Sequence, residues 1–119
     1  MKSSTDSAFP RRGEIWLVDF SPARGSEQAG QRPALILQND VGNRHAATTI
    51  VASVTTTIRL CPVTTLLPAK SCGLPRESMV NLAQLLTIDR TRLIRKVGAL
   101  DPAMLKSVDQ ALRVSLALD

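Results

Sequence analysis

Ile15-Trp16-Leu17-Val18-Asp19-Phe20, closed by Ser21-Pro22, reads as a short strand of branched and aromatic residues that ends on a turn. Working outward, Pro33-Ala34-Leu35-Ile36-Leu37-Gln38 and the strongly β-branched Thr48 to Thr55 are two further apolar runs of strand length. Thr64 to Leu67 and Ser78 to Leu86 add two more candidate strands. The ending changes period. Asp101-Pro102 supplies a capping carboxylate and a proline at the first helical position. Leu105, Val108, Leu112 and Leu116 then recur at spacings of three and four, with Ala111 beside them. Residues 101–118 are therefore expected to form an amphipathic helix. Five or so strands and a terminal helix predict a mainly β, α+β fold: a small, curled antiparallel sheet with the helix covering one face. Between them, Arg90 to Lys96 holds four basic residues in seven and reads as a short helix or turn with a solvated basic face.

The 119 residues suffice for one domain only. Hydrophobic residues make up 44% of the chain, enough to bury a real core, while aromatics are 3%, so Leu, Ile, Val and Ala must build it. Met1 to Pro10 is polar, lacks the apolar core of a secretory signal and is expected to be a flexible lead-in (1–10) to a single domain over 11–119. No run reaches transmembrane length. Cys61 and Cys72 stand apart, outside any C-x-x-C pair, and read as reduced thiols. A cytoplasmic, soluble protein is the expectation.

Fifteen basic residues against ten acidic ones give a formal charge of +5, which favours polyanionic partners through counterion release. Much chemistry is excluded. His45 is the lone histidine, so neither a two-histidine acid/base ribonuclease nor a usual zinc site can be assembled. The acidic residues are scattered, with no D-x-D or E-x-x-H pairing to hold a catalytic metal. No nucleophile elbow, P-loop or dinucleotide fingerprint is present. No metal and no cofactor is expected.

Ser21 to Arg32 is longer than a tight hairpin needs. Gly25 and Gly30 permit bending, and the polar Ser26, Glu27 and Gln28 between them offer donors and acceptors suited to base edges, with a plain hydrophilic surface loop as the competing reading. Pro33 biases Arg32 towards extended backbone at the mouth of the next strand.

Arg12-Gly13-Glu14-Ile15-Trp16, then Gly25-Ser26-Glu27-Gln28, then Arg32-Pro33 through Asn39-Asp40 closely resemble the MazF/PemK family of toxin ribonucleases. Gly42-Asn43-Arg44, Thr48 to Thr55 and the helix Asp109-Gln110-Ala111-Leu112 through Leu118 continue the match, which spans about residues 11–118. The resemblance implies an SH3-like small barrel of antiparallel strands with added helices, acting as a homodimer. It implies cleavage of single-stranded RNA, mainly messenger RNA, by the substrate's own 2′-hydroxyl, leaving a 2′,3′-cyclic phosphate and a 5′-hydroxyl. It also implies growth arrest and a MazE-like antitoxin that lays an acidic segment along the basic surface. The family's two residues near the scissile phosphate fall on Arg32 and Thr55.

Those residue types suit the task. When RNA supplies the nucleophile, the protein needs only to align the attack and stabilise charge on the phosphoryl oxygens. A guanidinium matches phosphate bidentately, and a threonine hydroxyl adds one donor. With aromatics so few, recognition is expected to be polar rather than by stacking, from Ser26, Glu27, Gln28, Gln38 and Asn39, with Arg12 on a phosphate. For Gln38 and Asn39, capping of a strand end is the competing role.

The stretch from Thr56 to Leu67 looks shorter than in relatives and carries Arg59, Cys61 and Pro62, so the cut sequence is expected to differ. Two rivals remain. A same-fold toxin of the CcdB type, which grips gyrase, depends on a C-terminal aromatic tail that Leu116-Ala117-Leu118-Asp119 lacks. A non-catalytic nucleic-acid-binding barrel would share the charge but would not need Arg32 or Thr55.

Overall fold

The computed structural model describes residues 9–21 and 30–119. Six strands, β1 (Glu14–Asp19), β2 (Gln31–Ile36), β3 (Thr48–Thr55), β4 (Thr64–Leu67), β5 (Ser78–Asp89) and β6 (Leu93–Ala99), join in one antiparallel sheet of order β4-β5-β3-β2-β1-β6. Two helices accompany them, the short α1 (Asp40–His45) and the terminal α2 (Pro102–Leu116). The expected α+β, mainly β fold with a C-terminal helix is what forms.

The sheet curls until its ends meet. The β4–β5 connection belongs to one edge and β6 is the other, yet a side chain at Gly98 of β6 would stand 2.0 Å from the Cys72 carbonyl oxygen. Inside the curl lies the main core, where Ile15, Leu35, Ala52, Val54, Leu67, Val80 and Leu82 meet Cys72, Leu74 and Leu100. Helix α2 covers it with Val108 and Ala111 buried and Met104, Leu105 and Leu112 packed beside them. Alternation along each strand sends the next residues to the other face, where Val18, Ala34, Ile36, Val51 and Ile88 form a smaller cluster under Trp16, Phe20 and Leu93. Strand β5 changes register midway, and the Asn81 side-chain oxygen caps the irregular stretch by accepting from Ala83 N at 2.9 Å.

Four expectations are corrected. Residues 90–96 are not one helix or turn: a 3₁₀ turn, Arg90–Arg92, hands over to β6 at Leu93, because the sheet edge offered by β1 recruits that segment as a sixth strand. Ordered packing starts before residue 11. Phe9 and Pro10 are buried, and the Phe9 ring lies 4.9 Å from the Arg11 and 5.3 Å from the Arg44 guanidinium carbon. Leu116 lies on the helix but is half exposed, since it stands past the edge of the core. Helix α1 has no counterpart in the periodicity, as six residues are too few to display one. Asp101 caps α2 as expected, accepting from Met104 N at 2.8 Å. Cys61 and Cys72 are free thiols. No helix among the described residues is long and apolar enough to cross a membrane.

Candidate functional site

Arg32 opens β2 and Thr55 closes β3. The pairing of these strands runs Ile36 to Val51, Leu35 to Ala52 and Ala34 to Ser53. Continued by two residues, that register brings Arg32 opposite Thr55. Both belong to the face opposite the main core, since Arg32 pairs with Val18 of the outer cluster and Thr55 follows the inward-facing Val54. Residues separated by 23 positions are thus set on neighbouring strands and on one face.

The two side chains are prepared differently. Arg32 is exposed, and no acceptor among the described residues holds its guanidinium. Its donors are free for a ligand. Thr55 Oγ1 accepts from Thr57 N at 3.1 Å, which leaves its own hydroxyl hydrogen to donate. One fixed cation and one fixed donor on the same open face can grip the oxygens of a phosphodiester.

The segment between β1 and β2 is tied at its base. Arg92 Nη1 donates to the carbonyl oxygens of Asp19 at 2.9 Å and Ser21 at 2.7 Å. The buried Asp19 carboxylate accepts from both the backbone N–H (3.0 Å) and the hydroxyl of Ser21. Phe20 N donates to Gly30 O at 2.8 Å, and a side chain at Gly30 would collide with Ser21. The chain therefore leaves and returns at one point, two residues from Arg32. Ser26, Glu27 and Gln28 lie outside the described residues.

Arg12, Gln38 and Asn39 gather elsewhere, at the far end of β2, about 20 Å from Arg32 along the strand direction. Each is engaged internally. Arg12 donates through Nε to Leu37 O (2.9 Å) and through Nη2 to Asp109 (2.8 Å). Gln38 Nε2 donates to Asn43 Oδ1 and Thr48 O, and Asn39 accepts from Gly42 N at 2.7 Å as the cap of α1. These bonds give all three a role in the fold, Asn39 as the cap of a helix rather than of a strand end. The buried Asn43 at their centre, which sequence reading did not single out, also accepts from Thr49 Oγ1 at 2.7 Å and donates to Gln38 O at 2.8 Å.

A second feature escaped the sequence. Thr55 borders a concavity of about 390 Å³ whose lining includes Arg59, Met79, Asn81 and Ala83. Asn81 reaches it only through the pairing of β5 with β3 and β4, which no local signal announces.

Comparison with known proteins identifies the family of this fold. Residues 11–116 match the family described as PemK-like, MazF-like toxin of type II toxin–antitoxin system. The chain is 46% identical over 110 residues to Endoribonuclease EndoA of Bacillus subtilis (strain 168), covering 91% of this chain and 95% of that protein. Its fold is similar to that of a mycobacterial endoribonuclease solved in complex with its cognate antitoxin. That match has a TM-score of 0.77 and 27% identity, over 92% of this chain and 97% of the other. It is also similar to MazF from Deinococcus radiodurans, with a TM-score of 0.72, 29% identity, and coverage of 92% and 97%.

Proposed function

The chain belongs to the PemK-like, MazF-like toxin family of type II toxin–antitoxin systems, and from that premise we propose that it is a metal-independent endoribonuclease that cleaves single-stranded RNA. The observation that carries this reading is the β2–β3 register, which, continued two residues beyond its last pair Ala34–Ser53, sets Arg32 level with Thr55 on one open face, the first exposed and the second with its hydroxyl hydrogen left to donate.

Cleavage is a transesterification. The 2′-oxygen of the RNA forms a bond to phosphorus as the bond from phosphorus to the 5′-oxygen breaks, leaving a 2′,3′-cyclic phosphate and a 5′-hydroxyl. Arg32 neutralises charge growing on the non-bridging oxygens and fixes the phosphate for in-line attack. Thr55 donates to one of the same oxygens. An arginine keeps its proton, so the 2′-hydroxyl proton leaves through water on this exposed face, and the 5′-oxygen regains one from water. Single-stranded substrate is required, because a duplex holds the 2′-hydroxyl away from the in-line position. Ser26, Glu27 and Gln28 are assigned to base edges, on the family resemblance.

The toxin works as a homodimer in the cytoplasm, chiefly on messenger RNA, and arrests growth until an antitoxin neutralises it. The free cations Arg32 and Arg59 suit an acidic antitoxin segment laid over the same face. Purified protein incubated with a long unstructured RNA in excess EDTA, with new ends mapped beside an Arg32→Ala control, tests the chemistry. Discrete cuts with cyclic-phosphate ends, lost in Arg32→Ala, are expected. Intact RNA from folded protein overturns the reading and points to a protein-gripping toxin or a non-catalytic binder.

A further inference from the structure

We infer that the concavity bounded by Arg59 and Asn81 is a subsite for the nucleotide next to the scissile phosphate, where Arg59 takes a backbone phosphate and Asn81 donates a hydrogen bond to an acceptor on the base. The inference rests on the reading of Arg32 and Thr55 as the cleavage pair.

The cross-strand row supplies the placement. Thr55 pairs with Met79, and Asn81, two residues along β5 on the same face, pairs with Thr64, so that all four line one concavity beside the end of β3, where the continued β2–β3 register sets Arg32. All stand on the face opposite the main core, since their neighbours Val54, Val80 and Leu82 point into it. A strand of RNA with its phosphate on Arg32 and Thr55 has this concavity as its next stop.

The lining suits one nucleotide. Its volume of about 390 Å³ lies within the range of clefts that hold small ligands. Met79 is buried beneath it, and a thioether is a favourable partner for a ring. The Met79 sulfur accepts from Arg59 N at 3.3 Å, which fastens the Arg59 backbone to β5. The Arg59 side chain is exposed, and no acceptor among the described residues holds it. It is the one cation of the lining among the described residues.

Asn81 provides direction. Its Oδ1 is taken by Ala83 N, so its amide nitrogen is left to act purely as a donor. A donor on a fixed strand reads an acceptor such as a base carbonyl or ring nitrogen, and it penalises a base that presents an amino group there. The connection from Thr56 to Val63 brings Arg59 to this position.

Sequencing of the ends produced from a randomised unstructured RNA, in EDTA, by wild type, Asn81→Asp and Arg59→Gln tests the subsite. Asn81→Asp keeps the oxygen that caps the β5 irregularity but replaces the donor with a negatively charged acceptor, and Asn81→Ser is a second, uncharged variant that withdraws the amide donor and retains an acceptor. Wild type is expected to prefer particular bases at one flanking position. Asn81→Asp should lose about tenfold of that preference at that position alone, with cutting retained. Arg59→Gln should raise KM about tenfold for all sequences and lower the slope of log KM against log salt by about one. An unchanged base preference in both folded Asn81 variants overturns the subsite. Should wild type cut nothing, the cleavage reading fails on its own. Anisotropy with the same RNA, 2′-deoxy throughout, then decides the subsite: about tenfold weaker binding by the uncharged Asn81→Ser as well as by Asn81→Asp supports it, and binding by Asn81→Ser equal to wild type overturns it.

Discussion

A Cβ atom placed on Gly98 would stand 2.0 Å from the carbonyl oxygen of Cys72, because these residues belong to opposite edges of the sheet and touch backbone to backbone. No side chain fits there. Gly98→Ala must pry the curled sheet open and is expected to cost about 3 kcal/mol, which at this chain length lowers Tm by about 10 °C. Thermal unfolding of the variant beside wild type measures it. A Tm within 2 °C (roughly the effect of a neutral surface change) would mean that the two edges do not meet.

Thr55 illustrates a hydroxyl held for donation. Thr55→Val keeps the shape and removes the proton donor, while the exposed Thr57 N–H it abandons turns to water. The expected result is a fall in kcat of about 100-fold with little change in KM or Tm, and Thr55→Ser should restore most of the rate. Single-turnover cleavage of one RNA by the three proteins decides it. An equal loss in Thr55→Ser would assign the residue to packing.

Arg12 joins the start of β1 to helix α2. Its ion pair with Asp109 is partly open, the two side chains being 30% and 47% exposed, so water and salt screen it. A double-mutant cycle of Arg12→Ala and Asp109→Ala is expected to give a coupling of about 0.5 kcal/mol. Arg12→Ala alone should cost about 1.5 kcal/mol, since the bond to Leu37 O goes as well. RNA cleavage by folded Arg12→Ala should match wild type. A tenfold rise in KM would restore Arg12 to the phosphate.

Arg92 reaches back from the turn before β6 to two carbonyls at the end of β1. Arg92→Ala leaves both without that donor and is expected to lower stability by about 2 kcal/mol. Because Arg32 follows closely on this tie, KM for RNA should rise several-fold, and Arg92→Lys should recover part of it. Denaturant unfolding and steady-state cleavage read the two effects separately. Stability unchanged in Arg92→Ala would show that the tie carries no load.

Much of this was legible beforehand. The strand at Thr48 to Thr55 and the helix begun at Asp101-Pro102 sit where their patterns predict, because β-branched runs and capped amphipathic helices are decided by near neighbours. Arg32 and Thr55 were named from the family resemblance, carried on Arg32-Pro33 and the end of a β-branched run. Arg12, Gln38 and Asn39 were read as ligand contacts because a polar side chain looks the same in sequence whether it faces RNA or a carbonyl of its own chain.

By itself the sequence determined which segments extend, which one coils, the positive charge, and the absence of any histidine pair or nucleophile motif. Only the tertiary structure decided that Leu93 to Ala99 becomes the sixth strand, that Gly98 meets Cys72, and that Asn81 comes to lie beside Thr55 and Arg59. The reason is range. Propensity and periodicity act over a few residues, whereas register, sheet closure and the shape of a cleft arise between residues far apart in the chain, where a hydrogen-bonding edge or a buried surface selects its partner.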